Sequence, residues 1–383
     1  MLTGGGDRPY ALGLTGSLVD AGVRVDFIGS DFLDCPELRQ QPLVRFLNLR
    51  GDNRPGAPTR QKVKRVCVYY TRLLRYAATA DPKVFHILWN NKLEWFDRTL
   101  LMLYYRLLGK RVVYTVHNVN AGQRDGRDSA INRLTLRIQY HLTHRLFVHT
   151  ERMKQQLEAE FGVPTEKISV IPFGINNTVP ATALTRTQAR ERLGVGATDK
   201  CVLFFGNIAP YKGVEYLVQA MEQLRGRVRD CRLVIAGQPK GSEAYWAAID
   251  RRIDSSPLRE HAIRHIEYVP DERTEVYFKA ADVLVLPYTH VFQSGVLFLG
   301  YSFGLPVIAS DVASMKDDIV EGETGYICPP ADPQALAAAI ERFFASDLYR
   351  ELDQRRGGIQ RSAAERYSWA TVASITVRAY GAP

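Results

Sequence analysis

The sequence predicts an α/β protein of two domains, each with a parallel sheet that is covered by helices on both faces. The 383 residues exceed what one ordinary core organises. Short β-rich runs alternate with helical stretches along both halves, the order that is typical of parallel sheets. A polar stretch at 176–200 shows no sheet pattern until it becomes a short helix. We therefore predict domains at 1–178 and 179–365, with a helix at 366–383 that crosses back to the first domain.

Apolar runs rich in β-branched and aromatic residues predict the strands. They lie at 23–30, 84–89, 111–118, 145–150, 168–174, 200–207, 231–238, 263–270, 281–288, 306–311 and 325–330. Helical spacing of apolar residues predicts helices between them. The clearest lie at 10–22, 60–78, 96–109, 130–144, 213–228 and 332–346.

A glycine cluster at 4–6 precedes the first helix, although no strand precedes the cluster. Because the first strand of a doubly wound sheet lies centrally, its loss leaves a gap between two neighbouring strands. We expect the first domain to lack this strand, either because the chain begins further upstream or because it is truncated. The alternative is that residues 1–3 form a loop and the sheet is smaller.

The positive charge is concentrated in the first half. Residues 1–180 carry 26 Lys and Arg against 16 Asp and Glu, whereas the remainder carries 24 against 25. Such a field attracts an anionic partner: nucleic acid, an anionic membrane or a phosphorylated substrate. The stretch 60–78 mixes cations, aromatics and leucines as an interfacial helix does, and this mixture also suits nucleic acid. A solvated basic face is the alternative, and no nucleic-acid-binding module is recognisable.

The five cysteines are scattered and form no close pair. This pattern disfavours a disulfide framework and a zinc site, and it predicts small core residues in a reducing, cytoplasmic compartment. No run approaches the ~18 apolar residues that a membrane span needs. The inner face of a membrane stays a candidate peripheral location because of the charge in the first half.

Two loops of the second half are candidates for phosphate binding. A strand ends at Gly206 and a loop then carries Lys212, a combination of small residues and a cation that suits phosphate but also occurs in ordinary turns. Further on, Ser294 is a predicted N-cap and Gly295 lets a ligand approach the start of an apolar helix. Free N–H groups and a partial positive charge make that helix start a phosphate site. The alternative is a capped core helix without a ligand.

His117 stands at the end of a predicted strand in the first half and is followed by Asn118, Asn120 and Arg124. A histidine at the carboxyl end of a strand is a candidate polar contact or acid–base group. A purely structural histidine is the alternative.

Three stretches together resemble the family 4 retaining glycosyltransferases: GNIAPYKGVEYLVQAM, FGLPVIASDVASMKDDIVEGETGYICPPADPQALAAAI and VPTEKISVIPFGIN. The resemblance implies the GT-B fold, in which two Rossmann-like domains face a cleft. It implies sugar transfer, with retention, from a nucleoside diphosphate sugar to a hydroxyl of a saccharide or lipid-linked acceptor in polysaccharide or glycolipid assembly. The second domain would bind the donor and the first the acceptor, without a metal or other cofactor.

The resemblance also implies roles for particular residues. Lys212 matches the family's lysine at the diphosphate, and His117 matches a histidine near the transferred sugar. Gly5 and Gly6 match a glycine loop near the diphosphate. The implied donor-binding residues are Gly5, Gly6, Gly206, Asn207, Lys212, Gln293, Ser294, Gly295 and Val296. Asn118, Asn120 and Arg124 are candidates on the acceptor side.

Three positions depart from the family pattern. Asn207 stands in place of an arginine, and Val291 and Leu299 stand in place of two glutamates. The Q-S-G-V step resembles a variant branch of the family, which favours an altered but active site. Two alternatives remain: a catalytically inactive binding protein, and a sugar-nucleotide epimerase that uses carboxylates such as Glu94, Asp97 and Asp125.

Overall fold

A computed structural model describes residues 7–52, 58–124, 126, 128–175, 179–291 and 293–381. Its contacts divide the chain into two units, one of Met1–Gly174 with Ser368–Pro383 and the other of Ile175–Tyr367. The sequence placed these divisions near residues 178 and 365. Each unit contains parallel strands alternating with helices, so the predicted α/β fold class is confirmed.

The described part of the first unit has six strands, and they pair with one another in parallel. They are β1 (Val25–Gly29), β2 (Val44–Asn48), β3 (Val84–Ile87), β4 (Arg111–Thr115), β5 (Arg145–Val148) and β6 (Ile168–Val170). Strand β1 pairs with β2, and the other four form a sheet in the order β3-β4-β5-β6. No strand among the described residues joins these two sheets. The sequence did not predict β2, which is partly exposed along its whole length.

The helices of the first unit are α1 (Arg8–Asp20), α2 (Pro36–Arg39), α3 (Thr59–Thr79), α4 (Glu94–Phe96), α5 (Met102–Leu107), α6 (Ala121–Arg124), α7 (Ala130–Leu142) and α8 (Glu151–Phe161). A π-helical turn, Asp97–Leu101, joins α4 to α5, and we call the continuous segment the α4–α5 helix. The predicted helices at 60–78, 96–109 and 130–144 are thereby confirmed. Ser129 and Thr150 cap α7 and α8 by accepting a backbone N–H three residues on.

The C-terminal helix, Trp369–Gly381, packs on α1 of the first unit. The indole of Trp369 lies against Gly13 of α1 and against Gly174. A Cβ atom on these two residues would come within 2.2 and 2.3 Å of the ring. Any larger residue at either position would therefore displace the indole, and the two glycines together fix this helix in the core of the first unit.

The second unit contains one six-stranded parallel sheet. Its strands are β7 (Lys200–Phe205), β8 (Cys231–Ala236), β9 (Ala262–His265), β10 (Val283–Leu286), β11 (Val307–Ser310) and β12 (Gly325–Cys328), and all six were predicted. Their order is β12-β11-β10-β7-β8-β9. The chain starts at β7, runs outward to β9 and then returns to β10 on the other side of β7. Open parallel sheets bind ligands at the carboxyl ends of the strands where the order reverses in this way.

The helices of the second unit are α9 (Arg186–Leu193), α10 (Val214–Leu224), α11 (Glu243–Ser255), α12 (Asp271–Ala280), α13 (Gly295–Ser302), α14 (Pro333–Ala345), α15 (Asp347–Arg350) and α16 (Leu352–Arg366), so the C-terminal helix is α17. The body of α13 is buried, as its apolar sequence predicts. Four of the five cysteines are buried, and Cys67 is exposed. None of the helices in the described part of the chain is long and apolar enough to cross a membrane.

A buried carboxylate fixes the base of the second sheet. Asp282 is fully buried and accepts the guanidinium of Arg190 at 2.9 Å and the backbone N–H of Cys201 at 2.8 Å. Arg186 also pairs with it. Because an unpaired charge in the interior is costly, these contacts hold α9 against the starts of β7 and β10.

Candidate functional site

The candidate site of the second unit lies at the reversal between β7 and β10. After β7 the chain reaches a 3₁₀ turn that ends at Lys212, and after β10 it reaches Tyr288. The ammonium of Lys212 donates to the Tyr288 hydroxyl at 2.6 Å and lies 4.0 Å from the centre of its ring. Burial raises the pKa of Tyr288, so the phenol stays neutral. A neutral partner therefore holds the Lys212 cation at the end of β10.

Glycines allow this close approach. Gly213 has a φ of +65°, and a Cβ atom there would lie 2.0 Å from the carbonyl oxygen of Pro287. Only glycine lets the Lys212 turn sit against the end of β10. Gly206, with a φ of +110°, follows β7, and the position of its missing Cβ lies 3.5 Å from the side chain of Val296. The end of β7 and the start of α13 are thus in contact.

The first turn of α13 begins at Gly295, and Ser294 occupies the N-cap position. The hydroxyl of Ser294 makes no capping bond and lies instead 3.4 Å from the Tyr288 hydroxyl. The expectation that this side chain caps the helix is therefore wrong, because the buried hydroxyl faces Tyr288. Since the side chain of Ser294 does not accept a first-turn N–H, it does not reduce the partial positive charge at the start of α13.

Gln293 connects this loop to a carboxyl group that the sequence reasoning missed. Its side chain lies near Asp318, which follows a 3₁₀ turn after β11, and favours the ionised form of that carboxyl group against the larger effect of burial. The hydroxyl of Tyr367 donates to the same carboxyl group at 2.8 Å. Burial raises the pKa of Asp318 to about 6. The side-chain oxygen Oε1 of Gln293 is buried and has no hydrogen-bond partner among the described residues.

The other predicted donor residues are more dispersed. Asn207 is exposed, Val291 is partly buried, and Leu299 is packed in the core. The structure thus brings Gly206, Lys212, Ser294 and Val296 together. Gly5 and Gly6 lie outside the described residues.

An aromatic cluster forms the candidate site of the first unit. Each strand of the four-stranded sheet is followed at its carboxyl end by a ring: Trp89 after β3, His117 after β4, His149 after β5 and Phe173 after β6. Tyr10 of α1 contacts all four, with centroid distances between 4.7 and 5.9 Å. Trp89 stacks on His117 with centroids 4.6 Å apart. Only His117 was predicted, although the repeated position of a ring just beyond each β-rich run is visible in the sequence.

His117 and His149 form a hydrogen-bonded pair. Nε2 of His149 lies 3.1 Å from Nδ1 of His117. Burial lowers the pKa of His149 to about 4 and the pKa of His117 well below its ordinary value, so both rings are neutral near pH 7. One ring must then donate and the other accept. The tautomer of His149 consequently decides whether His117 presents a proton or a lone pair at Nε2, which has no partner within the described part of the chain.

The acceptor-side candidates differ in their surroundings. Asn120 is fully buried; its side chain donates to Asp128 at 3.0 Å and accepts from Asn132 at 2.9 Å. This network makes Asn120 part of the turn that follows β4. Asn118 is partly buried, and Arg124 ends α6, with its side chain outside the described set.

The carboxylates considered for an epimerase also have defined places. Asp97 is buried and accepts the backbone N–H of Asn91 at 2.7 Å and the hydroxyl of Tyr70 at 2.9 Å. Burial raises its pKa. Glu94 is exposed, and Asp125 lies outside the described residues. In the described ranges, no three His, Cys, Asp or Glu side chains are grouped as metal ligands.

Two Rossmann-like units in one chain, one of them with a cationic site at its strand reversal, are the architecture of the GT-B glycosyltransferases. A family model described as Glycosyltransferase Family 4 matches residues 4–178, and one described as Glycosyl transferases group 1 matches residues 199–346. Together they cover most of the chain, which belongs to the group 1 glycosyltransferases of GT-B type.

Comparison with individual proteins agrees with this class. The chain is 27% identical over 243 residues to D-inositol 3-phosphate glycosyltransferase of Corynebacterium diphtheriae, an alignment that covers 62% of this chain and about half, 55%, of that protein. Sucrose-phosphate synthase of Thermosynechococcus elongatus has a similar structure, with a TM-score of 0.78, 20% identity and coverage of 99% and 97% of the two chains. The structure of Anabaena HepE in complex with UDP-glucose is also similar, with a TM-score of 0.75 and 17% identity. The match covers 100% of this chain and 99% of that one. These likenesses confirm the GT-B fold.

Proposed function

We propose that this chain transfers a sugar from a nucleoside diphosphate sugar to a hydroxyl group of a saccharide or lipid-linked acceptor, with retention of the anomeric configuration. The observation that carries the proposal is the cationic site at the strand reversal of the second unit, where Lys212 and the start of α13 meet. The resemblance to retaining enzymes supports retention, and the UDP-glucose bound to HepE supports a nucleotide-sugar donor.

The proposed donor chemistry follows from charge. Cleavage of the bond between the anomeric carbon and the phosphate oxygen leaves its electron pair on the diphosphate. Lys212 and the positive end of α13 would stabilise that growing charge, each charged hydrogen bond being worth roughly 1.5–3 kcal/mol. Gly206 and Gly295 would let phosphate oxygens approach the backbone, beside Asn207 and Val296. Since the protein itself supplies these positive groups, the proposed reaction needs no metal.

Two buried polar atoms that lack hydrogen-bond partners among the described residues are proposed to contact the sugar or the acceptor. Gln293 has a buried oxygen without a partner in the described structure, and we assign it to a sugar hydroxyl in place of the missing glutamates. The carboxyl group of Asp318 lies beside this amide. His117 has its Nε2 atom similarly unsatisfied, and we assign it to hydrogen bonding or proton transfer at the reacting sugar or acceptor hydroxyl.

The acceptor is assigned to the first unit, with Asn118 and Arg124 as candidate contacts. The excess of cations in residues 1–180 supports an acceptor that carries an anionic group or lies on an anionic surface. A cytoplasmic enzyme of glycolipid or polysaccharide assembly, associated peripherally with the inner face of a membrane, fits this charge.

Thermal unfolding with a panel of nucleotide sugars tests the proposal, beginning with UDP-glucose and with the bare nucleosides as controls. We expect one nucleotide sugar to raise the melting temperature by mass action, while its nucleoside does not. NMR of the product should then show a retained anomeric configuration and transfer that persists in EDTA. An inverted product, or no stabilisation by any nucleotide, would contradict the proposal. Binding without transfer to any acceptor favours the inactive alternative, and an epimer formed without acceptor favours the epimerase.

A further inference from the structure

Two helices of the first unit expose a continuous set of large apolar side chains. Helix α7 contacts the π-helical turn and the α5 part of the α4–α5 helix. Eight of the 13 large hydrophobic residues exposed in the described structure lie on or next to them. We call this set the apolar face: Leu93, Trp95, Leu100, Leu103, Leu107, Leu108, Ile131 and Leu134.

The spacing shows that this exposure follows a helical pattern. Leu100, Leu103 and Leu107 recur at intervals of three and four, so they form one stripe along the helix. Leu107 and Ile131 are 78% and 72% exposed. Another stripe of the same helix, which includes Met102 and Tyr105, is already buried in the core of the unit. The outward stripe is therefore not needed for folding, and exposed apolar patches of this kind mark interaction surfaces.

Cations surround the apolar face. Lys92, Arg106 and Arg137 are exposed on or beside the two helices, whereas the exposed Arg133 pairs with Asp128 at 2.7 Å. The α4–α5 helix contains only two acidic residues: Asp97 is buried, and Glu94 pairs with Arg98 at 2.5 Å. Helix α7 contains none. The rim of the apolar face, formed by these exposed cations, is thus positively charged.

The neighbouring helix α3 extends this charge. It lies beside the α4–α5 helix, since the Tyr104 hydroxyl donates to the carbonyl of Leu74 at 3.2 Å. Helix α3 carries six Lys or Arg and no acidic residue. Its Tyr69, Tyr70, Leu73 and Ala77 are buried, which leaves mainly cations on its outer side. The segment that the sequence marked as an interfacial helix therefore supplies charge more than apolar surface.

We propose that the apolar face inserts into an anionic lipid surface while the cations of α3 and of the rim contact the headgroups. This inference deepens the proposed function, because it assigns the membrane partner of a lipid-linked acceptor to named residues. Apolar residues ringed by Lys and Arg are the pattern of interfacial membrane binding. A second copy of the chain would bring two cationic rims together, and the charge pattern therefore favours an anionic bilayer.

Vesicle sedimentation tests the proposal with the whole chain. We expect binding to phosphatidylcholine vesicles that contain phosphatidylglycerol, weaker binding to phosphatidylcholine alone, and release as salt is raised. The variant Leu103→Ser/Leu107→Ser/Ile131→Ser should lose roughly a thousandfold in partitioning, since each of the three inserted aliphatic side chains contributes about tenfold. Arg60→Glu/Lys62→Glu should lose the preference for anionic vesicles.

The matched control is Tyr268→Ser/Val320→Ser, which removes two apolar residues that are 59% and 43% exposed on the second unit. It should bind vesicles as the unmodified chain does, and all variants should keep their melting temperatures. Unchanged vesicle binding by the triple variant would overturn the proposal, as would equal binding to neutral vesicles. Self-association that the triple variant abolishes, without vesicle binding, would assign the face to contacts between copies. The assay contains no donor or acceptor, so its failure is distinguishable from failure of the proposed transfer.

Discussion

Replacing Lys212 with methionine isolates the charge of the proposed diphosphate site. Methionine keeps a long, unbranched apolar stem where Lys212 is 9% exposed, but it removes the ammonium that donates to Tyr288. A hydrogen bond from a charged group to the diphosphate is worth roughly 1.5–3 kcal/mol. We therefore expect the affinity for a nucleoside diphosphate to fall roughly 10- to 150-fold.

Stability should respond differently from affinity. The bond from the charged Lys212 to Tyr288 contributes roughly 1.5–3 kcal/mol to folding, and removing a nearly buried ammonium offsets most of that loss. We expect the free energy of unfolding to change by no more than about 1 kcal/mol. Tyr288→Phe is the matched control, because it removes the same hydrogen bond and keeps the cation. It should weaken donor binding less than Lys212→Met does.

Isothermal titration calorimetry with UDP, alongside urea unfolding of each variant, measures both quantities. If Lys212→Met binds UDP as tightly as the unmodified chain does, Lys212 does not contact the diphosphate. If Tyr288→Phe loses as much affinity for UDP as Lys212→Met does, the contact is structural and the charge of Lys212 does not bind the donor.

Three further predictions concern other buried polar groups. Asp282→Ala leaves Arg190 buried without its carboxylate and should lower the free energy of unfolding by about 3–5 kcal/mol, measured in urea; a loss below about 1 kcal/mol would contradict the structural role. Burial raises the pKa of Asp318 from 3.8 to about 6, so as pH rises this carboxyl group ionises in the unfolded chain before it ionises in the folded one. Titration of Asp318 should therefore lower the free energy of unfolding by about 3 kcal/mol between about pH 4 and pH 6, and Asp318→Asn should remove this dependence on pH. The same dependence in both proteins would show that Asp318 does not cause it. His149→Phe keeps an aromatic ring but removes the partner of His117, so kcat should fall at least about tenfold with little change in KM; a change in KM alone would indicate a packing role.

The sheets were predictable because buried parallel strands are continuous apolar runs. Val283–Leu286 is buried at every position and stands out in the sequence. Strand β2 was missed because within the described residues it pairs with β1 alone, lies partly exposed throughout, and contains Arg45 and Asn48. A strand in that setting has neither an apolar run nor a clear alternation.

The candidate sites were predictable only where the signal is local. The loop that carries Lys212 and the start of α13 each combine a strand end with small residues, and this combination is visible in the sequence. Asp318 and His149 depend on which strands are neighbours, so no local pattern identifies their contacts. Ser294 shows the converse: its residue type favours a cap, but packing against Tyr288 decides where the hydroxyl points.

Leu299, which stands where the family has a glutamate, shows how this donor site differs from those of related enzymes. Leu299 is packed in the core, so a glutamate there would be buried. The carboxyl group near the donor loop is that of Asp318 instead, beside Gln293, whose neutral amide would face the sugar. A neutral hydrogen bond contributes about 0.5–1.5 kcal/mol, against roughly 1.5–3 kcal/mol for a charged one. On the proposed function, the diphosphate therefore supplies most of the donor affinity. UDP should bind within about tenfold of UDP-glucose in calorimetry, and a much tighter sugar nucleotide would require a charged sugar contact elsewhere.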